Sequence, residues 1–449
     1  MRSADRPGCA ISLGGGSVRK RPVGSVFRAL AVTSIAAALV SSTSIAGLAS
    51  AAGNGALVIG SVQTFSGSTA AFGPEQNAGC LTAAAAVNAH GGVLGHKLTC
   101  LPVDTRSDSV DSIPAVQKLI ALTKNVVGAV GPSSNTAAAD VPLLNAAHIP
   151  MFADTGQTEF TKTKDKYFYR ILAADDAGGV AMAAWAKHEG YKRIAAVFVN
   201  NVNSQGNVPG VLLGAKHLGL KVVVNQAIAP DLTSYNTEVL SLAKANAQAI
   251  VTTADPQTEA TYLSDLKQLT GKVLPVIGPI PNTQPDWSKA IEGAIGTSNY
   301  TKYYASVHPF VSTSGVAFQT YKKTLLRLNI TKPKQWVGDP YAQAPYDGVT
   351  IMALAMLEAK TTTRVKYNRY IVKVANGEKH SVVVHTFAQG KAAIAHGRTI
   401  HYVGVFKQIV FNRFHNSTGA FVVTKLGPNA TDKQVGTVTS AQLAKASGG

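Results

Sequence analysis

From residue 56 onward, short runs rich in Val, Ile and Leu alternate with longer segments whose apolar positions recur at helical spacing. The pattern predicts strands over 56–62, 97–103, 126–130 and 150–153, separated by helices over 75–89, 112–123 and 137–147. Each strand leads into a loop rich in Gly, Ser, Thr or Asp. A second series follows Tyr169-Arg170-Ile171, with helices over 177–189, 208–218, 235–245 and 259–270 and strands over 193–199, 221–225, 249–253 and 273–277. Beyond residue 300 the pattern predicts a helix over 346–359 and a closing pair of strands near 405–411 and 420–424. Strands alternating with helices are the mark of doubly wound parallel sheets, and two consecutive series imply two of them. The expected fold is therefore α/β, with two doubly wound lobes. Ligands bind such sheets beyond the carboxyl ends of the strands, so two facing sheets make a cleft.

Length and composition agree. A chain of 449 residues is too long for one compact core. Hydrophobic residues at 46% and charged residues at 15% give the balance of a folded globular protein and exclude a disordered or fibrous one. The first fifty residues differ: Arg19, Lys20, Arg21 and Arg28 precede an uncharged stretch over 29–49, and Ala49-Ser50-Ala51 supplies the small residues of a cleavage site. Residues 1–51 are expected to be a signal peptide, with retention as a membrane anchor the alternative. Cys9 lies upstream of the apolar stretch, so no lipid-attachment cysteine follows it. Cys80 and Cys100 then remain, an even pair in a chain bound for an oxidising compartment, and a disulfide between them is expected.

The formal charge of +18 includes six basic residues and one acid in the leader, leaving about +13 for the rest. Such an excess suits contact with anionic envelope polymers or steering of an anionic solute. The charges are scattered rather than gathered on one helix or interleaved with aromatics, which argues against a nucleic-acid partner. Enzymatic motifs are missing: there is no H-E-x-x-H, G-x-S-x-G or P-loop, and Gly14-Gly15-Gly16-Ser17 falls in the leader. His385, His396, His401 and His415 are spread along the chain without metal-ligand spacing. No cofactor and no metal are expected.

The stretch Thr64-Phe65-Ser66-Gly67, Phe72-Gly73, the run Asn88-Ala89-His90-Gly91-Gly92-Val93-Leu94-Gly95 and then Asp104 closely resembles the type I periplasmic binding proteins of the branched-chain amino acid (leucine, isoleucine, valine) transport class. The similarity continues through Gly131-Pro132-Ser133-Ser134, Ile149-Pro150-Met151-Phe152, Phe168-Tyr169-Arg170, Tyr346-Asp347-Gly348, Tyr402-Val403-Gly404 and Val410-Phe411-Asn412, spanning nearly the whole chain after the leader. The resemblance implies two lobes joined by a three-stranded hinge near Ala173, Tyr300 and Phe411. Lobe 1 would comprise 54–172 and 301–410, lobe 2 173–300 and 411–428, with a tail over 429–449. A monomeric, exported solute-binding protein, in the periplasm or on the outer face of the cell, would deliver a branched-chain amino acid or related amide or carboxylate to an ABC permease. Alternatives are a sensory receptor of the same fold and a basic envelope-associated scaffold.

The resemblance also implies that short polar side chains on tight loops at helix N-termini grip a carboxylate. Ser134, Asn135, Thr155 and Gln157 match those loops, and Ser134 or Asn135 equally fits a plain helix cap. Phe72 matches a position for an aromatic wall, or packs on the lobe surface. The second lobe departs from the pattern: Gln205-Gly206 stands where Tyr-Gly is common, and Gly278-Pro279-Ile280 where an acid would pair with the ligand's ammonium. Asp255 either replaces that acid or caps the next helix; otherwise the ligand lacks an ammonium, since a buried one needs a partner.

Overall fold

The computed structural model describes residues 55–67, 69–279, 285–406, 409–417, 419–427 and 431–448. The expected signal peptide and its cleavage point lie outside the described residues. The chain opens with β1 (Leu57–Gln63), α1 (Phe72–Ala89), β2 (Leu98–Asp104), α2 (Ser109–Leu122), β3 (Val126–Ser133), α3 (Ser134–Ala146), β4 (Met151–Asp154) and β5 (Phe168–Tyr169). These strands form one parallel sheet in the order β2-β1-β3-β4-β5. All residues of β1 and β3 are buried, because helices cover both faces of the sheet.

A second run comprises α4 (Asp175–His188), β6 (Arg193–Val199), α5 (Val202–Gln205), α6 (Val208–Leu218), β7 (Lys221–Ile228), α7 (Asn236–Lys244), β8 (Ala249–Thr253), α8 (Pro256–Thr270), β9 (Val276–Gly278), α9 (Pro285–Ile295), α10 (Thr297–Tyr303) and β10 (Tyr304–Pro309). The chain then returns to the first lobe with α11 (Gly315–Leu325), α12 (Pro340–Glu358), α13 (Arg364–Asn376), β11 (Val382–Val384), α14 (Phe387–Ala395) and β12 (Ile400–Tyr402). It ends in the second lobe with β13 (Phe421–Gly427), β14 (Thr431–Val438) and α15 (Ser440–Ser447). The second sheet has the order β14-β13-β10-β9-β8-β6-β7, with β13 antiparallel to both neighbours.

Helix α12 is buried along almost its whole length and carries apolar side chains all round, as a helix enclosed by its neighbours must. It crosses α1 where a Cβ on Gly79 would strike the Ala342 carbonyl, so glycine allows the two backbones to approach. The disulfide Cys80–Cys100 joins α1 to β2 across a separation of 20 residues. Closing that loop restricts the unfolded chain, so Cys100→Ser should cost roughly 2–4 kcal/mol, read as a lower melting temperature that reductant reproduces in the parent protein. An unchanged melting curve in both would refute this.

Three boundaries differ from the sequence expectation. Residues 304–309, expected in lobe 1, form β10 inside the second sheet, so the second crossing lies at Phe310, whose N–H donates to the Ala420 carbonyl at 3.0 Å. Tyr300 is instead buried in the second lobe's core. The third crossing passes His415 to Ala420: Arg170 N–H donates to the His415 carbonyl at 3.0 Å and Ser417 N–H to the Arg170 carbonyl at 2.8 Å, whereas Phe411 packs in the first lobe. The supposed tail holds β14 and α15, which pack on the second lobe. No strand runs through the described part of 405–411, because the Val405 and Phe406 amides donate to the Asp347 carboxylate, at 3.1 and 2.6 Å, rather than to a neighbouring strand.

Candidate functional site

The carboxyl ends of both sheets face one another across a cleft holding about 610 Å³ of free space, in the usual range for a small-molecule site. Its walls come from the start of α1, the ends of β3 and β4 and the start of α4. The loops after β6 and β8 and the start of α9 complete it.

Phe72, Ser134, Asn135 and Asp255 line this cleft. Ser134 Oγ accepts the Gly156 N–H at 3.1 Å, tying the β3 loop to the β4 loop, and Asn135 Nδ2 donates to Thr69 Oγ1 at 3.1 Å. Asp255 caps α8 by accepting the Thr258 N–H at 2.9 Å. Thr155, Gln157 and Gln205 are not among the lining residues. The Thr155 hydroxyl accepts the Gln157 N–H at 3.2 Å and the Gln157 carbonyl accepts Arg170 Nη1 at 2.8 Å. Gln205 Nε2 donates to the Val199 carbonyl at 3.0 Å, where β6 ends. These three therefore brace the loops behind the cleft. Ile280 lies outside the described residues.

Several lining residues escaped the sequence reading: Glu75, Gln76, Ser133, Asp154, Asp175 and Trp287. A signal existed for Glu75, which stands one helical turn after Phe72 and so shares its face, and for Asp154, which ends a strand of the binding face. Tyr341 also lines the cleft and arrives from a segment far along the chain, where no local pattern announces it. Two of the missed groups are more than nine-tenths buried and have no hydrogen-bond partner for a side-chain oxygen: Ser133 Oγ, 8% exposed, and Gln76 Oε1, 2% exposed.

Five carboxyls line the cleft (Glu75, Asp154, Asp175, Asp255 and Asp286), against one basic side chain, Lys332, among the described residues. Burial pushes the Asp154 carboxyl up to about 8, helped by the Asp339 and Asp175 charges. Burial raises Asp175 to about 7, opposed by the nearby Arg170 guanidinium. Glu75 is raised well above its ordinary range by burial and by Asp339, to which its carboxyl is hydrogen-bonded. Behind the aromatic wall, Glu259 is raised to about 7 by burial, with the Tyr304 hydroxyl and Trp287 indole pulling the other way. Among the described residues no group of three or more His, Cys, Asp or Glu is arranged to hold a metal ion.

Burial thus favours the protonated forms of Glu75, Asp154 and Asp175. An acid raised in the folded state loses stability as pH climbs from its unfolded value near 4 towards its folded value. For Asp154 that window runs from about 4 to about 8. Asp154→Asn should therefore leave the ligand-free protein unchanged near pH 4 and stabilise it by on the order of 2 kcal/mol at pH 9, a melting-point gain of a few degrees. A gain that is flat with pH would contradict this origin.

Comparison with known proteins adds three findings. A family model described as periplasmic binding protein matches residues 56–377. Glutamate receptor 2.4 of Arabidopsis thaliana is 22% identical over 281 residues, 58% of this chain, which spans only 28% of that protein's length. Among solved structures, the branched-chain amino acid transporter substrate-binding protein LivJ from Streptococcus pneumoniae, in complex with isoleucine, superposes with a TM-score of 0.66 at 17% identity, covering 86% of this chain and 99% of that one. A solute-binding protein of an ABC transporter from R. palustris, in complex with benzoate, gives 0.66 at 16% identity over 86% and 97%. A fatty acid ABC transporter substrate-binding protein from Thermomonospora curvata gives 0.65 at 17% over 88% and 94%.

Proposed function

Because this chain belongs to the periplasmic binding protein family, we propose that it captures a small polar solute outside the cell and hands it to the permease of an ABC importer. The observation that carries this reading is the cleft itself, which draws its walls from both lobes at the carboxyl ends of both sheets. Each lobe alone offers half the contacts, so a bound solute favours the closed form. A signal peptide over residues 1–51, expected from the sequence, and the Cys80–Cys100 disulfide suit a protein exported to an oxidising compartment. Capture without chemical conversion fits a family of binding proteins, and the neighbours in complex with isoleucine and benzoate span the amino-acid and carboxylate classes a screen should include.

A thermal-shift screen of the chain from residue 52 against amines, amino acids, amides, carboxylates and fatty acids tests the reading. A solute at a hundred times its Kd should stabilise the protein by about 2.7 kcal/mol and contract it in solution scattering. Silence across every class would refute solute capture. A sensory role is the second reading, favoured by the similarity to a plant glutamate receptor; co-purification with a permease or with a sensor protein separates the two.

A further inference from the structure

Resting on that solute-binding reading, the chemistry of the cleft narrows the solute further. Ser133 caps the 13-residue helix α3 without a side-chain bond to it, which by itself would suit a carboxylate. But Ser133 is the direct cross-strand partner of Asp154 in the parallel β3·β4 pair. Parallel neighbours lie about 5 Å apart, so an anion seated at that helix start meets a second carboxyl at its side. An anion there would hold that carboxyl protonated, whereas a cation lets it ionise and pair, so the side chain gains a charge partner only from a cationic ligand.

The same place is well furnished for a cation. Glu75 follows Phe72 by one turn on α1. The Tyr341 phenol lies within the fields of Glu75, Asp154, Asp175 and Asp339. The Phe72 ring meets Trp287 from the opposite lobe at 6.2 Å and Tyr341 from its own lobe at 6.0 Å, so aromatic surface and carboxyls converge from α1, α9 and α12. The two unpartnered buried oxygens, Ser133 Oγ and Gln76 Oε1, both line this space and both can accept hydrogen bonds. Aromatic faces and carboxylates together are how proteins hold alkylated ammonium groups.

We propose that the cleft selects a small organic cation, an amine or quaternary ammonium, whose charged head lies between the Phe72, Trp287 and Tyr341 rings and the Glu75 and Asp154 carboxyls. The head neutralises acids that are otherwise costly to ionise, so its binding draws protons off them. The titratable groups facing it are Glu75 of α1, Asp154 of β4, Asp175 of α4, Asp339 and Tyr341 at the start of α12, and Asp255 and Asp286 across the cleft, with Arg170 and Lys332 as the nearby cations.

Calorimetry on the chain from residue 52 tests the inference with choline, putrescine, the uncharged alcohol in which carbon replaces the choline nitrogen, leucine and benzoate. Choline or putrescine should bind about a hundredfold more tightly than leucine, benzoate or the uncharged alcohol. Because choline carries a fixed charge, its affinity should rise between pH 6 and pH 9 as the acids ionise. Asp154→Asn, whose own melting curve checks folding, should weaken it about tenfold or more and flatten that rise, and Phe72→Ala should weaken it about fivefold. Binding of leucine or benzoate with silence from both cations overturns this inference and leaves solute capture standing. Equal affinity for choline and its uncharged isostere overturns it too. Silence from every compound here and in the wider screen overturns both readings.

Discussion

Arg170→Ala should lower the melting temperature by about ten degrees or more, or abolish folding, the largest effect expected of any single substitution here. The side chain is 1% exposed and lies where the first crossing leaves the first lobe. Its Nε donates to Asn416 Oδ1 at 2.6 Å, Nη1 to the carbonyls of Thr155 and Gln157 at 3.2 and 2.8 Å, and Nη2 to Thr161 Oγ1 at 3.1 Å. One fork thus joins the β4 loop at the cleft to the third crossing. Burial lowers its pKa to about 10, with Asp175 and Asp176 opposing, so it stays charged at neutral pH. Truncation removes four donors at once and leaves Asp175 without its counter-charge, a loss of about 3–5 kcal/mol. Arg170→Lys keeps the charge but not the planar fork and should recover less than half of the loss. A melting curve within two degrees of the parent for Arg170→Ala would overturn this account.

The second large effect is at Asp347, where Asp347→Ala should cost about 3 kcal/mol or more. Its Oδ1 accepts the Tyr402 hydroxyl at 2.8 Å and the Val405 N–H at 3.1 Å, and its Oδ2 accepts the Phe406 N–H at 2.6 Å. A Cβ on Gly404 would run into this carboxylate, so the backbone wraps closely around it. Alanine leaves two amides and a hydroxyl unpaired in the interior, each costing about 1–3 kcal/mol before relaxation. Asp347→Asn preserves the shape but turns an N–H₂ towards a donor and should recover only part of the loss. Denaturant unfolding measures both variants; equal stability of all three proteins would contradict the assigned role.

Asp347 and Asp154 are both acids with raised pKa values, and their predicted signs are opposite. Asp347, raised to about 6, has three donors that pull against burial. Asp154, raised to about 8, has no such donors among the forces on it, only burial and other acids. Removing the first breaks a network, whereas removing the second relieves a burden carried for the sake of a ligand.

The same contrast explains what could be read from the chain. The alternation of strands and helices was legible because each parallel strand, covered on both faces, must be a short continuous apolar run such as that of Leu57–Gln63. The cystine pair and the cap at Asp255 were legible for similar local reasons, whereas α3 begins earlier than expected, with Ser133 at its N-cap and neither Ser134 nor Asn135 capping it. Phe72, Ser134, Asn135 and Asp255 were legible as lining residues because they sit at the helix starts that a parallel sheet turns towards the carboxyl ends of its strands. Thr155 and Gln157 follow β4 and Gln205 closes α5 after β6, at the same sheet ends, but the sequence says nothing of rotation about the strand ends, and there their polar groups turn to one another and to the backbone instead.

What the sequence by itself determined was the class of fold, the two lobes and the face on which the cleft opens, because these follow from periodicity and from the ends of strands. Only the tertiary structure decided where the chain crosses between lobes and what the cleft is made of. Strand β10 joins the second sheet through pairings with β9 and β13, partners about thirty and more than a hundred residues apart in the chain. Tyr341, Trp287 and Phe72 converge only after two crossings, the first leading to α9 and the second back to α12, bring both helices to the start of α1. Charge in a cleft depends on distances between residues far apart in sequence, and no local pattern encodes those distances. For that reason a chain with a formal charge of +18 could carry an acid-lined cleft unannounced.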